Sequence, residues 1–237
     1  MQEKPRFGID APGVVLTLGL VGVGLLIIAA VAVMSGHDDI ASLTLGPGCS
    51  ISIASLLMVL TSTVGKPIVV RHMIGKLGLQ GDEQVLDVGC GRGLLLLEAA
   101  RQLPRGRATG LDLWSTKDQS GNAADVAHRN AALAGLADRV QIDTGDMRTM
   151  PYADASFDVI VSSLAIHNLP NSADRDQAVR EIVRVLKPGG RIALLDFRCT
   201  GAYVRSLRRA GALDVRRSWP IFLMFPFIWI VRAQGKA

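Results

Sequence analysis

The chain has 237 residues, 49% of them hydrophobic and 20% charged, with a formal net charge of +5 and a pI near 9.4. No lysine-rich tract and no basic run with interleaved aromatics accompanies the positive balance, which argues against a nucleic-acid partner. The three cysteines, Cys49, Cys90 and Cys199, are odd in number, far apart and without ligand-type spacing, which argues against a disulfide framework and points to no metal site.

Mean hydropathy is +0.31, and the apolar excess sits in the first 65 residues. Residues 14–34 carry no charge and are mostly Val, Leu, Ile, Ala and Gly. At about 1.5 Å per residue such a helix matches a hydrocarbon core of roughly 30 Å. A helix also satisfies its own backbone there. A cleaved signal peptide is the rival for this segment, but the run is long for one and Ala32-Val33-Met34 makes a poor cleavage site. A second uncharged stretch covers residues 40–65, with Gly46, Pro47 and Gly48 early and Ser50, Ser52, Ser55 and Thr61 later. Small and hydroxylated residues suit helix contact within a bilayer; an interfacial or buried soluble helix is the alternative. Lys4 and Arg6 precede the first segment, Lys66, Arg71 and Lys76 follow the second, and the connection Ser35-Gly36-His37-Asp38-Asp39 is acidic. The positive-inside rule then predicts a membrane protein with two spans. Residues 1–65 form the hairpin, and residues 66–237 form a domain on the cytoplasmic side.

Beyond Pro67 short apolar runs alternate with helical patterns. Strands are predicted over 85–88, 108–113, 140–142, 157–163 and 192–197, and helices over 94–103, 123–133 and 174–186. Such alternation argues for a parallel sheet covered on both faces, with ligands bound beyond the carboxyl ends of its strands. The apolar, aromatic stretch from Trp219 to Phe225 has little reason to be so apolar if it lies on a loop. With Arg205, Arg208, Arg209, Arg216 and Arg217 before it, that stretch suits a lipid surface.

The first strand enters the loop Val85-Leu86-Asp87-Val88-Gly89-Cys90-Gly91-Arg92-Gly93. Glycines there permit positive φ and close approach of a ligand to the backbone. The G-x-G-x-G spacing differs from the dinucleotide-binding pattern. Further along stand Gly110-Leu111-Asp112, Gly145-Asp146-Met147, Ser156-Phe157-Asp158-Val159-Ile160-Val161-Ser162-Ser163 and Leu186-Lys187-Pro188-Gly189-Gly190. In this order and spacing the chain resembles class I S-adenosylmethionine-dependent methyltransferases from about residue 78 to 190, especially small-molecule enzymes related to the ubiquinone and menaquinone C-methyltransferases.

The resemblance implies a Rossmann-like α/β fold: a seven-stranded, mostly parallel sheet with helices on both faces, here preceded by a transmembrane helical hairpin. It implies S-adenosyl-L-methionine as cofactor and a small-molecule acceptor. It implies that Gly89, Gly91 and Gly93 line the methionine part and Asp87 holds the amino-acid end. Asp112, with Leu113 beside it, would take the ribose hydroxyls, and Asp146 and Met147 would meet the adenine. Ser162, at the end of the fourth strand, belongs to the same set. The loop after Asp112 is longer than in many relatives. Trp114 there either stacks on the cofactor or packs the loop, and Asp118 and Asn122 are secondary candidates. His167, after the fourth strand, is either a general base or a residue that orders its loop. The acceptor is a soluble metabolite or protein, or an apolar, lipid-like molecule drawn from the membrane; a cofactor-binding module without catalysis is the remaining alternative. Oligomeric state is not legible.

Overall fold

The computed structural model describes residues 3–115 and 121–236. Two long helices come first, α1 (Pro12–Met34) and α2 (Asp38–Leu60). They pack antiparallel through small residues. A side chain on Gly22 would lie 2.8 Å from the Ser52 nitrogen, Gly48 lies under Leu25 and Leu26, and the Ser55 hydroxyl donates to the Val15 carbonyl at 2.9 Å. The outward faces stay apolar and uncovered. Leu16, Leu20 and Leu43 are each more than 60% exposed, and only 11% of the most apolar stretch of either helix is buried. A core helix of a water-soluble domain would show the opposite.

α2 does not stop where its apolar run stops. Thr61–Gly65 winds as a π turn, and the helix continues as α3 (Lys66–Gly75) into the following domain. Pro67 explains the irregularity: it has no N–H for the carbonyl one turn back, and a proline there forces the ladder to rearrange. Hydropathy marks the end of the apolar run at this point but gives no sign that the helix itself goes on.

The domain then alternates as expected. Its elements are β1 (Gln84–Val88), α4 (Leu94–Ala100), β2 (Arg107–Asp112), α5 (Ala124–Leu133), β3 (Val140–Thr144), β4 (Phe157–Ser163), α6 (Ser172–Val185), β5 (Leu186–Asp196), α7 (Thr200–Arg209), β6 (Leu213–Arg217) and β7 (Trp229–Gln234). One seven-stranded sheet runs β3-β2-β1-β4-β5-β7-β6, parallel except for the β7 pairings with β5 and β6. The strand order reverses between β1 and β4, so the crevice for a ligand opens there. The sequence pattern places the start of the fifth strand at residue 192. The extended run in fact begins at Leu186, whose ψ of 132 ends α6, and Pro188 and Gly189 (φ 70) are carried within the strand.

Alternation along the strands sorts the core into two layers. Val85, Val159 and Val161 face α3 and α4, while Leu86, Val88, Ile160 and Ile192 face α6 and α7. The segment before α1 also belongs to this domain by contact. Phe7 packs on the first layer, the Arg6 nitrogen donates to Asn130 Oδ1 at 3.0 Å, and Asn130 donates back to the Arg6 carbonyl.

Candidate functional site

A cavity of about 380 Å³ lies at the carboxyl ends of β1, β2 and β4. Its floor is the loop after β1. Gly89, Gly91 and Gly93 all have positive φ (75, 52 and 87), which lets the chain curl back over β2. The curl is fixed by Gly89 and Cys90 nitrogens donating to the Leu111 carbonyl at 2.8 and 3.2 Å. A side chain on Gly89 would overlap Ala165, and one on Gly110 would meet Cys90 Sγ at 2.7 Å. Gly89 and Gly91 line the cavity, while Gly93 caps α4 beside Leu97 and stands off it.

Asp112 ends β2 and braces the loop. One oxygen accepts from the Gly91 nitrogen at 2.8 Å, and the other from the Trp114 nitrogen at 2.6 Å and Asn122 Nδ2 at 3.2 Å. Asp112, Leu113 and Asn122 all line the cavity. The Trp114 indole instead donates to Thr144 Oγ1 at 2.8 Å and packs against the core, which holds the loop to β3. Asp118 lies outside the described residues.

Asp87 is 1% exposed on the wall of this cavity, and neither carboxyl oxygen has a hydrogen-bond partner. Burial pushes its pKa up to about 8, with the Asp112 charge adding to the rise; the Leu96 N–H, nearby but short of hydrogen-bond geometry, and the Lys66 ammonium oppose it. An unpartnered buried carboxyl is costly unless a ligand completes it.

Asp146 and Ser162 sit differently. Asp146 is clamped by Arg148, whose Nη2 lies 2.6 Å from one oxygen, and whose backbone nitrogen donates at 2.8 Å to the other. Arg148 holds the Asp146 carboxyl below the usual range. Asp146 stands outside the lining, whereas Gly145, Met147 and Arg148 reach the cavity. Ser162 points to the second core layer and donates to the Val88 carbonyl at 2.7 Å. Its neighbour Ser163 faces the same side as Asp87, lines the cavity and has a buried, unpartnered hydroxyl. Strand alternation turns Ser163, and not Ser162, toward the cavity.

His167 lies on a short turn, 9% exposed and off the cavity. Its Nδ1 is 2.8 Å from Asp196 Oδ1, without hydrogen-bond alignment, and its ring meets Phe197 edge-on. Asp196 also accepts from the buried Tyr203 hydroxyl at 2.9 Å. Two further residues line the cavity that no local motif announced: Asp10, just before α1, and Lys66, at the start of α3. Lys66 Nζ is 2.8 Å from Asp10 Oδ1.

Comparison with known proteins bears on this arrangement. Residues 86–194 match the family described as "Methyltransferase domain". The chain is 40% identical over 127 residues to methyltransferase GfsG of Streptomyces halstedii, covering 54% of this chain and 42% of that protein. It is 34% identical over 127 residues to a demethylmenaquinone methyltransferase of Lactobacillus johnsonii, covering 53% and 48%. It thus spans about half the length of the curated relatives it matches. A solved S-adenosylmethionine-dependent methyltransferase from Aquifex aeolicus superposes with a TM-score of 0.56 at 19% identity, over 70% of this chain and 88% of that one, which shows the shared fold. Residues 86–194 are therefore similar to a methyltransferase domain, and the sheet has the fold of a solved S-adenosylmethionine-dependent methyltransferase.

Proposed function

We propose that this protein is a membrane-anchored methyltransferase whose acceptor is a small, apolar molecule reached from the bilayer surface. The residues present fit the donor. Asp87 is a buried carboxyl with no partner of its own, suited to an ammonium group. Gly89 and Gly91 line the floor of the cavity, and Asp112 faces it for ribose hydroxyls. Met147 would lie by the adenine, with Asp146 and Arg148 fixing its turn. S-adenosylmethionine supplies an electrophilic methyl group, so the chain's own contribution is alignment and exclusion of water. His167, held beside Asp196 away from the cavity, orders the loop that carries Ala165 and Asn168 to the cavity wall.

The observation that carries the membrane part is the position of residues 219–227. This loop seats on the foot of the hairpin: a side chain on Gly65 would overlap the Leu223 carbonyl, and the Thr61 hydroxyl donates to the Phe225 carbonyl at 3.4 Å. Trp219 is 90% exposed and Phe222 77%, next to the uncovered apolar faces of α1 and α2. Aromatic side chains at that level favour the bilayer interface. Both hairpin ends then stay on the cytoplasmic side with residues 66–237. The demethylmenaquinone methyltransferase among the relatives, by its name, acts on an apolar quinone, which agrees with this acceptor class. In bilayer discs containing brominated lipid, tryptophan fluorescence is expected to be quenched, and Trp219→Phe to remove most of the quenching. Unchanged quenching in that variant would show that the loop does not touch lipid.

A further inference from the structure

The two feet of the hairpin meet in the wall of the cofactor cavity. Asp10 lies two residues before α1 and Lys66 opens α3, so 55 residues of chain lie between them. Their side chains nevertheless form an ion pair at 2.8 Å, with the lysine side chain 10% exposed. Asp10 is further fixed by its nitrogen, which donates to Ser62 Oγ at 3.3 Å. The strap before it is tied to the glycine loop through Asn130, which donates to the carbonyls of both Arg6 and Arg92.

A buried ammonium is tolerated only with acceptors around it. Lys66 has one carboxylate in contact and a second, Asp87, near enough for its charge to be felt there. Lys66 and Asp87 therefore present a positive and a negative group to one cavity, the complement of an α-amino acid zwitterion. Asp87 suits the ammonium end, which leaves the carboxylate end for a cation. Arg92 also lines the cavity, but its guanidinium lies beside Gly121, near the loop that follows Asp112. Lys66 lines the same cavity as Asp87.

We infer that Lys66, held by Asp10, binds the carboxylate end of the cofactor, so that the membrane hairpin builds part of the cofactor site rather than only tethering it. The inference rests on the cofactor reading above and concerns one end of that ligand. The test is calorimetric titration of the full chain in detergent micelles with S-adenosylhomocysteine and with its carboxamide, which lacks the negative charge. The parent should bind the acid at least tenfold more tightly than the amide. Lys66→Met should bring the two within about twofold of each other, Lys66→Arg should keep the preference, and Arg92→Met should keep it too. Equal binding of acid and amide by the parent would overturn the inference even if no variant folds, and would leave the cofactor reading standing. Persistence of the preference in Lys66→Met, or its loss in Arg92→Met, would also overturn it. No binding of either compound by the parent would overturn the cofactor reading itself.

Discussion

Single residues of this site carry opposite electrostatic tasks, and each leaves a measurable trace. Asp87 has a folded-state pKa raised to about 8 from 3.8 by burial and by Asp112. Below about pH 4 it is neutral in both folded and unfolded chains, and its ionisation adds no pH-dependent cost. As pH rises from about 4 to 8 only the unfolded chain ionises it, so folding stability contributed by this group falls across that window. Asp87→Asn should therefore raise the melting temperature of the unliganded protein more at pH 8 than at pH 5. A cationic ammonium beside Asp87 favours its ionised form. Binding S-adenosylhomocysteine at pH 7 should thus release close to one proton, read as a dependence of binding enthalpy on buffer ionisation enthalpy. The release should vanish in Asp87→Asn, and a parent that releases none would contradict the role given to this carboxyl. Asp112 works the other way, as an acceptor already engaged with Gly91, Trp114 and Asn122. Asp112→Ala removes these bonds and, on the proposed reading, those to the ribose, at roughly 1.5–3 kcal/mol per bond to a charged group. Cofactor affinity should fall at least tenfold by calorimetry, and an affinity within twofold of the parent would refute the assignment.

At the level of elements, the motifs of the central sheet were legible because they are local. A glycine loop after an apolar strand, an acid at the end of the next strand and a Pro-Gly-Gly after a helix each declare themselves within a few residues. The turn chemistry fixed β1, β2 and the end of α6 nearly to the residue. Long-range features were not legible. Nothing near Lys66 in the sequence says that Asp10 will meet it, and as a charge flanking an apolar run it reads only as a topology signal. Ser163 rather than Ser162 reaches the cavity because of which face of β4 meets α4, a matter of sheet packing. Asp146 was read from its motif, whereas Arg148, two residues on, takes its carboxylate. The hairpin was visible as hydropathy, and its packing through Gly22, Gly48 and Ser55 agrees with close helix contact in lipid. With that much uncovered apolar surface, the protein should remain in the membrane pellet through carbonate extraction and leave it only with detergent. Release by carbonate would rule out the two spans.

Across the whole molecule, one continuous helix from Asp38 to Gly75 joins the apolar hairpin to the domain that holds the central sheet. The cavity, the clasp between Asp10 and Lys66, and the exposed aromatic loop at residues 219–227 all gather at the foot of that hairpin. On the proposed reading, this placement makes the bilayer surface the source of the acceptor. It also means that a fragment starting at residue 66 lacks Asp10 and the strap that ties Arg6 to Asn130. The full chain is accordingly the form to assay. The most direct measurement is methyl transfer by the purified full chain in bilayer discs, using radiolabelled S-adenosylmethionine and separately added lipid, quinone and polar metabolite extracts. The account predicts label in the organic phase with lipid or quinone extract, and loss of that label in Asp112→Ala. Label found only in polar metabolites, or no transfer by a protein that binds the cofactor, would contradict it.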